Sequence, residues 1–198
     1  GAAQTELRVG HLGVPRHTPD FHALVLLNAI LGGHFSSRLN LNLRERRGFT
    51  YGVRSVVDFR KAAGPFFVQT SVQTDATAEA VGEILGELRA ITADRPPGDD
   101  ERDLSEATLT KGYPRNFETP GQVARGVAQM AIYDLPDDTF AVFGPRVRAL
   151  TAADVARAAA EHLHPDRSIV VAVGDGSRIR AGLERLGLGE AAVVDAAL

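Results

Sequence analysis

Between residues 51 and 74 the chain carries two runs with a two-residue repeat, joined by a short link. Tyr51, Val53, Ser55, Val57 and Phe59 share one face of the first run, and Phe66, Val68, Thr70 and Val72 share one face of the second. That period belongs to a half-buried strand, whose successive side chains point to opposite sides of a sheet. Lys61-Ala62-Ala63-Gly64-Pro65 between the runs is short enough for a hairpin-type loop, so the two strands are antiparallel neighbours.

The flanking sequence supplies helices to cover this sheet. Leu7 to Val14 reads as a strand closed by Pro15, and Thr18-Pro19-Asp20 offers a helix start before the apolar run Phe21 to Leu31. Gly32-Gly33 breaks that run. Phe35 to Arg46 predicts a second helix, with Leu39 and Leu43 four apart and Gly48 where a left-handed residue closes a helix. Asp75 is the expected N-cap of a long helix from about Ala76 to Ile91, whose Val81, Ile84, Leu85, Leu88 and Ile91 form an apolar stripe. Asp99 to Asn116, troubled by Pro114, and Pro120 to Tyr133 read as helical stretches that could together form a helical hairpin.

Thr151 and Asp154 have capping-box spacing for a helix through Leu163. Ile169 to Val173 is a continuous apolar run suited to a central strand, and a last helix covers about Arg178 to Leu186. This order lacks the regular strand–helix alternation of a doubly wound fold. The expectation is an α+β fold, a mostly antiparallel sheet covered by helices, with residues 1–198 as one domain.

Composition narrows the function classes. At 198 residues, with 44% hydrophobic and 24% charged side chains, the chain can bury a core without disulfides or a structural metal. The net charge of −3 and scattered basic residues leave no continuous patch for nucleic acid. The absence of cysteine removes thiolate zinc sites and thiol nucleophiles together. No apolar stretch reaches the roughly 18 residues of a membrane span. Twenty arginines against two lysines, with abundant alanine, suggest a GC-rich bacterial source, in cytoplasm or periplasm. The Gly1-Ala2-Ala3 start, without Met or a leader pattern, is expected for a piece excised from a longer polypeptide.

The six histidines do not suggest a metal site. His11, His17 and His22 lack paired spacing and read as structural, while His162 and His164 read as solvent-facing or capping residues near a helix end. Ala158-Ala159-Ala160-Glu161-His162 would match the inverted zinc motif H-x-x-E-H only if residue 158 were histidine. Losing one of two imidazoles removes most of the affinity, so no metal is expected on this chain. Gly32-Gly33-His34-Phe35-Ser36-Ser37 is neither a nucleophile elbow nor a phosphate loop.

The most specific stretch is Leu43-Arg44-Glu45-Arg46-Arg47-Gly48-Phe49-Thr50-Tyr51-Gly52-Val53, preceded by Gly32-Gly33 and Ser36-Ser37-Arg38-Leu39. Together with Phe117-Glu118-Thr119-Pro120, Tyr133 to Asp138, Leu150 to Val155 and Val171 to Asp175, it resembles the zinc metallopeptidase family of pitrilysin, insulin-degrading enzyme and the mitochondrial processing peptidase. The similarity is to the second, noncatalytic domain of each half-enzyme. It implies that zinc sits on another domain, which faces this one across a chamber, and that Arg44 and Tyr51 hold the substrate backbone. Their guanidinium and hydroxyl donors suit a peptide carbonyl or the oxyanion that develops on it. Arg46 and Arg47 read more simply as cations complementing the helix dipole.

The resemblance implies a noncatalytic substrate-binding domain of a zinc metalloendopeptidase, with a peptide as substrate. The zinc-bearing partner is expected on the same chain, a homodimer mate or a separate subunit. The alternatives are a structural subunit that keeps the fold without proteolysis, and a peptide-binding module acting through an exposed sheet edge.

Overall fold

The computed structural model describes residues 1–194. Four strands, β1 (Gln4–Leu12), β2 (Val53–Val57), β3 (Pro65–Gln73) and β4 (Ile169–Val173), form one antiparallel sheet in the order β2-β3-β1-β4. The 51–74 region pairs as its sequence predicts, with Val53 opposite Thr70 and Val57 opposite Phe66. The first strand is shorter than the alternating run, because Tyr51 and Gly52 precede it in an exposed turn.

One sheet face carries Leu7, Val9, Val53, Phe66, Val68 and Val72, all buried. Helices α1 (Phe21–Asn28), α2 (Thr77–Thr92) and α6 (Ala152–His162) pack over it through Leu24, Leu27, Ile84, Leu88, Val155 and Ala158. Burying a Leu or Ile side chain contributes about 1.5–3 kcal/mol, so this face dominates the stability of the fold. Helices α3 (Asp99–Gly112), α4 (Pro120–Tyr133), α5 (Thr139–Arg148) and α7 (Gly176–Glu184) surround that layer.

Several expectations need correction. Ile169 to Val173 is an edge strand, not a central one, and Ile169, Val171 and Val173 are exposed on the face turned away from the helices. Central and edge strands can have the same apolar composition, and only pairing distinguishes them. Asp75 does not cap α2. A 3-10 turn over Thr74–Ala76 moves the helix start past it, and its carboxylate pairs with Arg178 of α7 instead. Helices α3 and α4 form no hairpin, because the turn Tyr113–Phe117 separates them and α3 packs on α5, with Tyr113 stacked on Phe143 at 4.0 Å.

The Phe35 to Arg46 helix is present only from Arg38. His34 to Ser37 form a turn, and Ala29–Gly33 and Asn40–Arg46 are wound as wider π-helical turns, as in the bond from Arg47 N–H to Asn42 C=O at 3.0 Å. Such widened turns commonly mark functional sites. Gly32 permits the first of them to approach β2, since a Cβ there would lie 2.5 Å from the Ser55 nitrogen. Gly48, at φ 67°, takes the left-handed role read from the sequence. The Thr151–Asp154 capping box also forms, with the Asp154 N–H donating to Thr151 Oγ1 at 3.2 Å.

Buried histidine makes stability pH-dependent. Desolvation, aided by Arg146 and Arg16, pushes His22 down to about 4, and burial also lowers His11 and His34. The unfolded chain therefore binds protons between pH 6.5 and about 4 that folded His22 refuses. Stability should be full above pH 6.5 and decline as the pH falls toward 4. Urea midpoints measured across that window should fall less steeply in His22→Gln than in the wild type; parallel declines would remove His22 as a cause.

Candidate functional site

An open cleft of about 560 Å³ runs from the 32–35 turn, past Arg44 and Tyr51, onto the outward face of β1, β2 and β3. The structure thus brings the two residues singled out from the sequence to one site. Arg44 sits in the last turn of the 40–46 helix, where its guanidinium lies 3.9 Å above the centre of the Phe35 ring. Stacking on an aromatic face orients the guanidinium and leaves its edge N–H groups available. Its only ion pair among the described residues is a loose one, Nε to Glu45 at 3.6 Å.

Tyr51 is 94% exposed, so it does not anchor a buried strand. The backbone beneath it is firmly held. Thr70 Oγ1 donates to the Gly52 carbonyl at 2.9 Å, and the Gly52 N–H donates to Thr50 Oγ1 at 3.1 Å. Asn40, 7% exposed, then grips the first residue of β2: its Oδ1 accepts from the Val53 N–H at 3.2 Å and its Nδ2 donates to the Val53 carbonyl at 2.8 Å. The same Nδ2 reaches His34 O and Ser37 Oγ. One buried amide therefore ties together the 34–37 turn, the 40–46 helix and the turn that presents Tyr51.

This grip bears on the sheet-edge alternative. Val53 bonds away from β3, and the two-residue alternation of an antiparallel ladder places the Ser55 and Val57 backbone groups on the same outer edge. Asn40 covers that edge at Val53, Gly32 crowds it at Ser55, and the Phe59 N–H bonds to Val57 O. The β2 edge is closed to an added strand.

Sequence reasoning missed several residues that build the site. Arg38, 7% exposed, donates from Nε to Glu101 Oε1 at 2.7 Å and from Nη2 to Glu101 Oε2 at 2.6 Å, and also reaches the carbonyls of Arg95 and Pro96. It fastens the start of the second helix to the start of α3. Arg47 does more than complement a helix dipole: it bridges to Glu79 and Glu83 of α2. The available signal was polar residues at Arg38, Asn40 and Asn42 alternating with Leu39, Leu41 and Leu43, too even a pattern to say which side was buried.

The histidines also find partners. His162 is half-buried and its Nε2 lies 2.8 Å from Asp20, so it is not a solvent residue. Asp20, Glu161 and His162 are near enough to one another to suggest a cation. Arg157 occupies that role, donating to Asp20 and, at 3.0 Å, to Glu161, and with His162 it holds the Asp20 carboxyl down at about 2. A cluster already neutralised by a guanidinium does not suit zinc. The His164 N–H donates to His11 Nε2 at 3.0 Å, leaving the His11 proton on Nδ1 toward Leu12 O. Elemental analysis of the dialysed chain should find no stoichiometric zinc; one zinc per chain, lost in His162→Ala, would overturn this.

Comparison with known proteins agrees with the fold. Residues 1–107 match the family described as Peptidase M16 inactive domain. No curated protein matches the chain. Among solved structures, a peptidase M16 inactive domain from Pseudomonas fluorescens is 28% identical with a TM-score of 0.78, over 85% of this chain and 40% of its own. A protease from Helicobacter pylori is similar at 18% identity and TM-score 0.75, covering 87% of this chain and 41% of its own. The inactive peptidase domain of a candidate zinc protease from Bordetella parapertussis matches at 18% identity and TM-score 0.73, over 87% of this chain and 93% of its own. The chain spans about two-fifths of the length of the first two relatives. It belongs to the peptidase M16 inactive-domain family, the noncatalytic domain of a zinc protease family.

Proposed function

We propose that this chain grips peptide substrate for a zinc metalloendopeptidase whose metal lies on another domain, in the same polypeptide, a homodimer mate or a separate subunit. The observation that carries the reading is that Arg44 and Tyr51, from different elements, line one open cleft, their terminal guanidinium N–H and phenol O–H groups making no hydrogen bond among the described residues. Such donors can hold the carbonyls of an extended peptide backbone without regard to side chains. Fixing the backbone before reaction lowers the barrier entropically, and a donor aimed at a developing negative oxygen lowers it further. The stacked Phe35 and the Asn40 clamp favour this role, because a preorganised donor loses little freedom on binding.

Joining the chain to its zinc-bearing partner and comparing peptide cleavage by wild type and an Arg44→Ala, Tyr51→Phe double variant tests the reading. Full activity in a folded, assembled double variant would leave the structural-subunit alternative in its place.

A further inference from the structure

The sheet wall of the cleft carries charge that a backbone grip does not need. Arg54 of β2 and Arg8 of β1 are both register partners of Gln69 in β3, so the three side chains form one row across the outward face. Strands lie about 4.8 Å apart, which puts the two arginine backbones about 10 Å apart with Gln69 between them. Two side chains of arginine length can converge across that span onto one group.

The charge of this wall is only partly compensated, by loose pairs from Arg8 to Glu6 at 3.5 Å and from Arg44 to Glu45 at 3.6 Å. The cleft is lined by Arg8, Arg44 and Arg54 against a single carboxylate, Glu6. Glu6 is already engaged, accepting from Ser71 Oγ and, at 3.5 Å, from Arg8 Nη1. Arg8 Nη1 also donates to Leu7 O at 2.8 Å, which pins that side chain along its strand. The Arg54 side chain is exposed and forms no hydrogen bond or ion pair among the described residues. Burial lowers His34 at the rim, so it stays neutral near pH 7 and leaves the arginines as the cleft's cations. Like charges gathered on one sheet face are unfavourable alone and favourable around an anion. Guanidinium forks match the planar geometry of a carboxylate, and the Gln69 amide adds a donor.

We infer that Arg54, Gln69 and Arg8 form a carboxylate subsite, and that the chain prefers extended peptides bearing an acidic group beside the backbone segment held at Arg44 and Tyr51. The inference rests on the peptide-gripping reading and adds a substrate class to it. The carboxylate can come from a Glu or Asp side chain or from a peptide C-terminus.

Three alanine pentapeptides separate these possibilities when titrated into the 198-residue chain and followed by NMR of the arginine Nε–Hε signals. All are N-acetylated. One has a central Glu and an amidated end, one a central Gln and an amidated end, and one a central Gln and a free carboxylate. The Glu peptide should bind about tenfold more tightly than its amidated Gln counterpart at low salt, since hydrogen bonds to charged groups exceed neutral ones by roughly that much. The advantage should shrink with added salt, and Arg54→Gln or Arg8→Gln should abolish most of it. Tighter binding by the free-carboxylate peptide than by the Glu peptide would assign the subsite to peptide C-termini, weaker binding would assign it to acidic side chains, and equal binding of those two above the amidated Gln peptide would show that it takes either.

Equal affinity of the three peptides, no binding at all, or a Glu preference that survives Arg54→Gln would each overturn the inference. The backbone reading is judged separately: Arg44→Ala, Tyr51→Phe should weaken all three peptides alike. If it weakens none while Arg54→Gln still erases the Glu preference, the grip fails and the subsite stands.

Discussion

Replacing Arg44 by alanine, or Tyr51 by phenylalanine, in the assembled enzyme is expected to lower peptide turnover about 10²–10³-fold, the usual cost of one lost oxyanion-type donor. The melting temperature should stay within about 2 °C of wild type, because neither side chain supports the core and surface changes usually cost no more than about 0.5 kcal/mol. Tyr51 is 94% exposed, and among the described residues the side-chain interactions of Arg44 are a stack on the exposed Phe35 and a loose pair with Glu45. A packing role would show the opposite pattern, with melting temperature falling and turnover declining only with the folded fraction. Measuring both on the same samples separates the two. Phe35→Leu should act in between, removing the ring beneath Arg44 while keeping its charge, and should cost less than Arg44→Ala.

Arg38→Ala should be strongly destabilising, by about 3 kcal/mol, because it breaks a charge-assisted pair and takes the donor away from two part-buried carbonyls. Arg38 is 7% exposed and serves Glu101 and the carbonyls of Arg95 and Pro96. The Glu101 side chain is 38% exposed and can be hydrated again, which holds the cost below that of a fully buried broken pair. For a domain of this size the loss corresponds to about 6–12 °C in melting temperature. Arg38→Lys should recover only part of it, since an ammonium cannot reproduce the two-pronged contact. A shift under about 2 °C for Arg38→Ala in thermal denaturation would show that the clamp carries little of the fold's stability.

The Arg38 and Arg44 variants therefore separate two kinds of effect within one short segment. The first concerns how the segment is fastened to α3, and the second what it presents to the cleft. Both residues occur in the stretch that pointed to the family, and their contacts distinguish them.

Local physics decided much of this protein before any long-range contact formed. The β2–β3 pairing follows from a two-residue repeat and a short link, the bend at Gly48 from a positive φ that glycine adopts freely, and the α6 start from a capping box whose two members are three positions apart. That Arg44 and Tyr51 line one cleft could be expected from the family resemblance of a motif whose residues lie within a few positions of one another. What the sequence could not decide lies across distance. Asp20 meets His162 over 142 positions and Arg38 meets Glu101 over 63. The apolar run at Ile169 became an edge because only β1 was there to pair with it, and Arg8 joined Arg54 only through the register each shares with β3. Backbone preference and hydrophobic period act over a few residues, whereas the identity of a partner depends on which surfaces the whole core brings together.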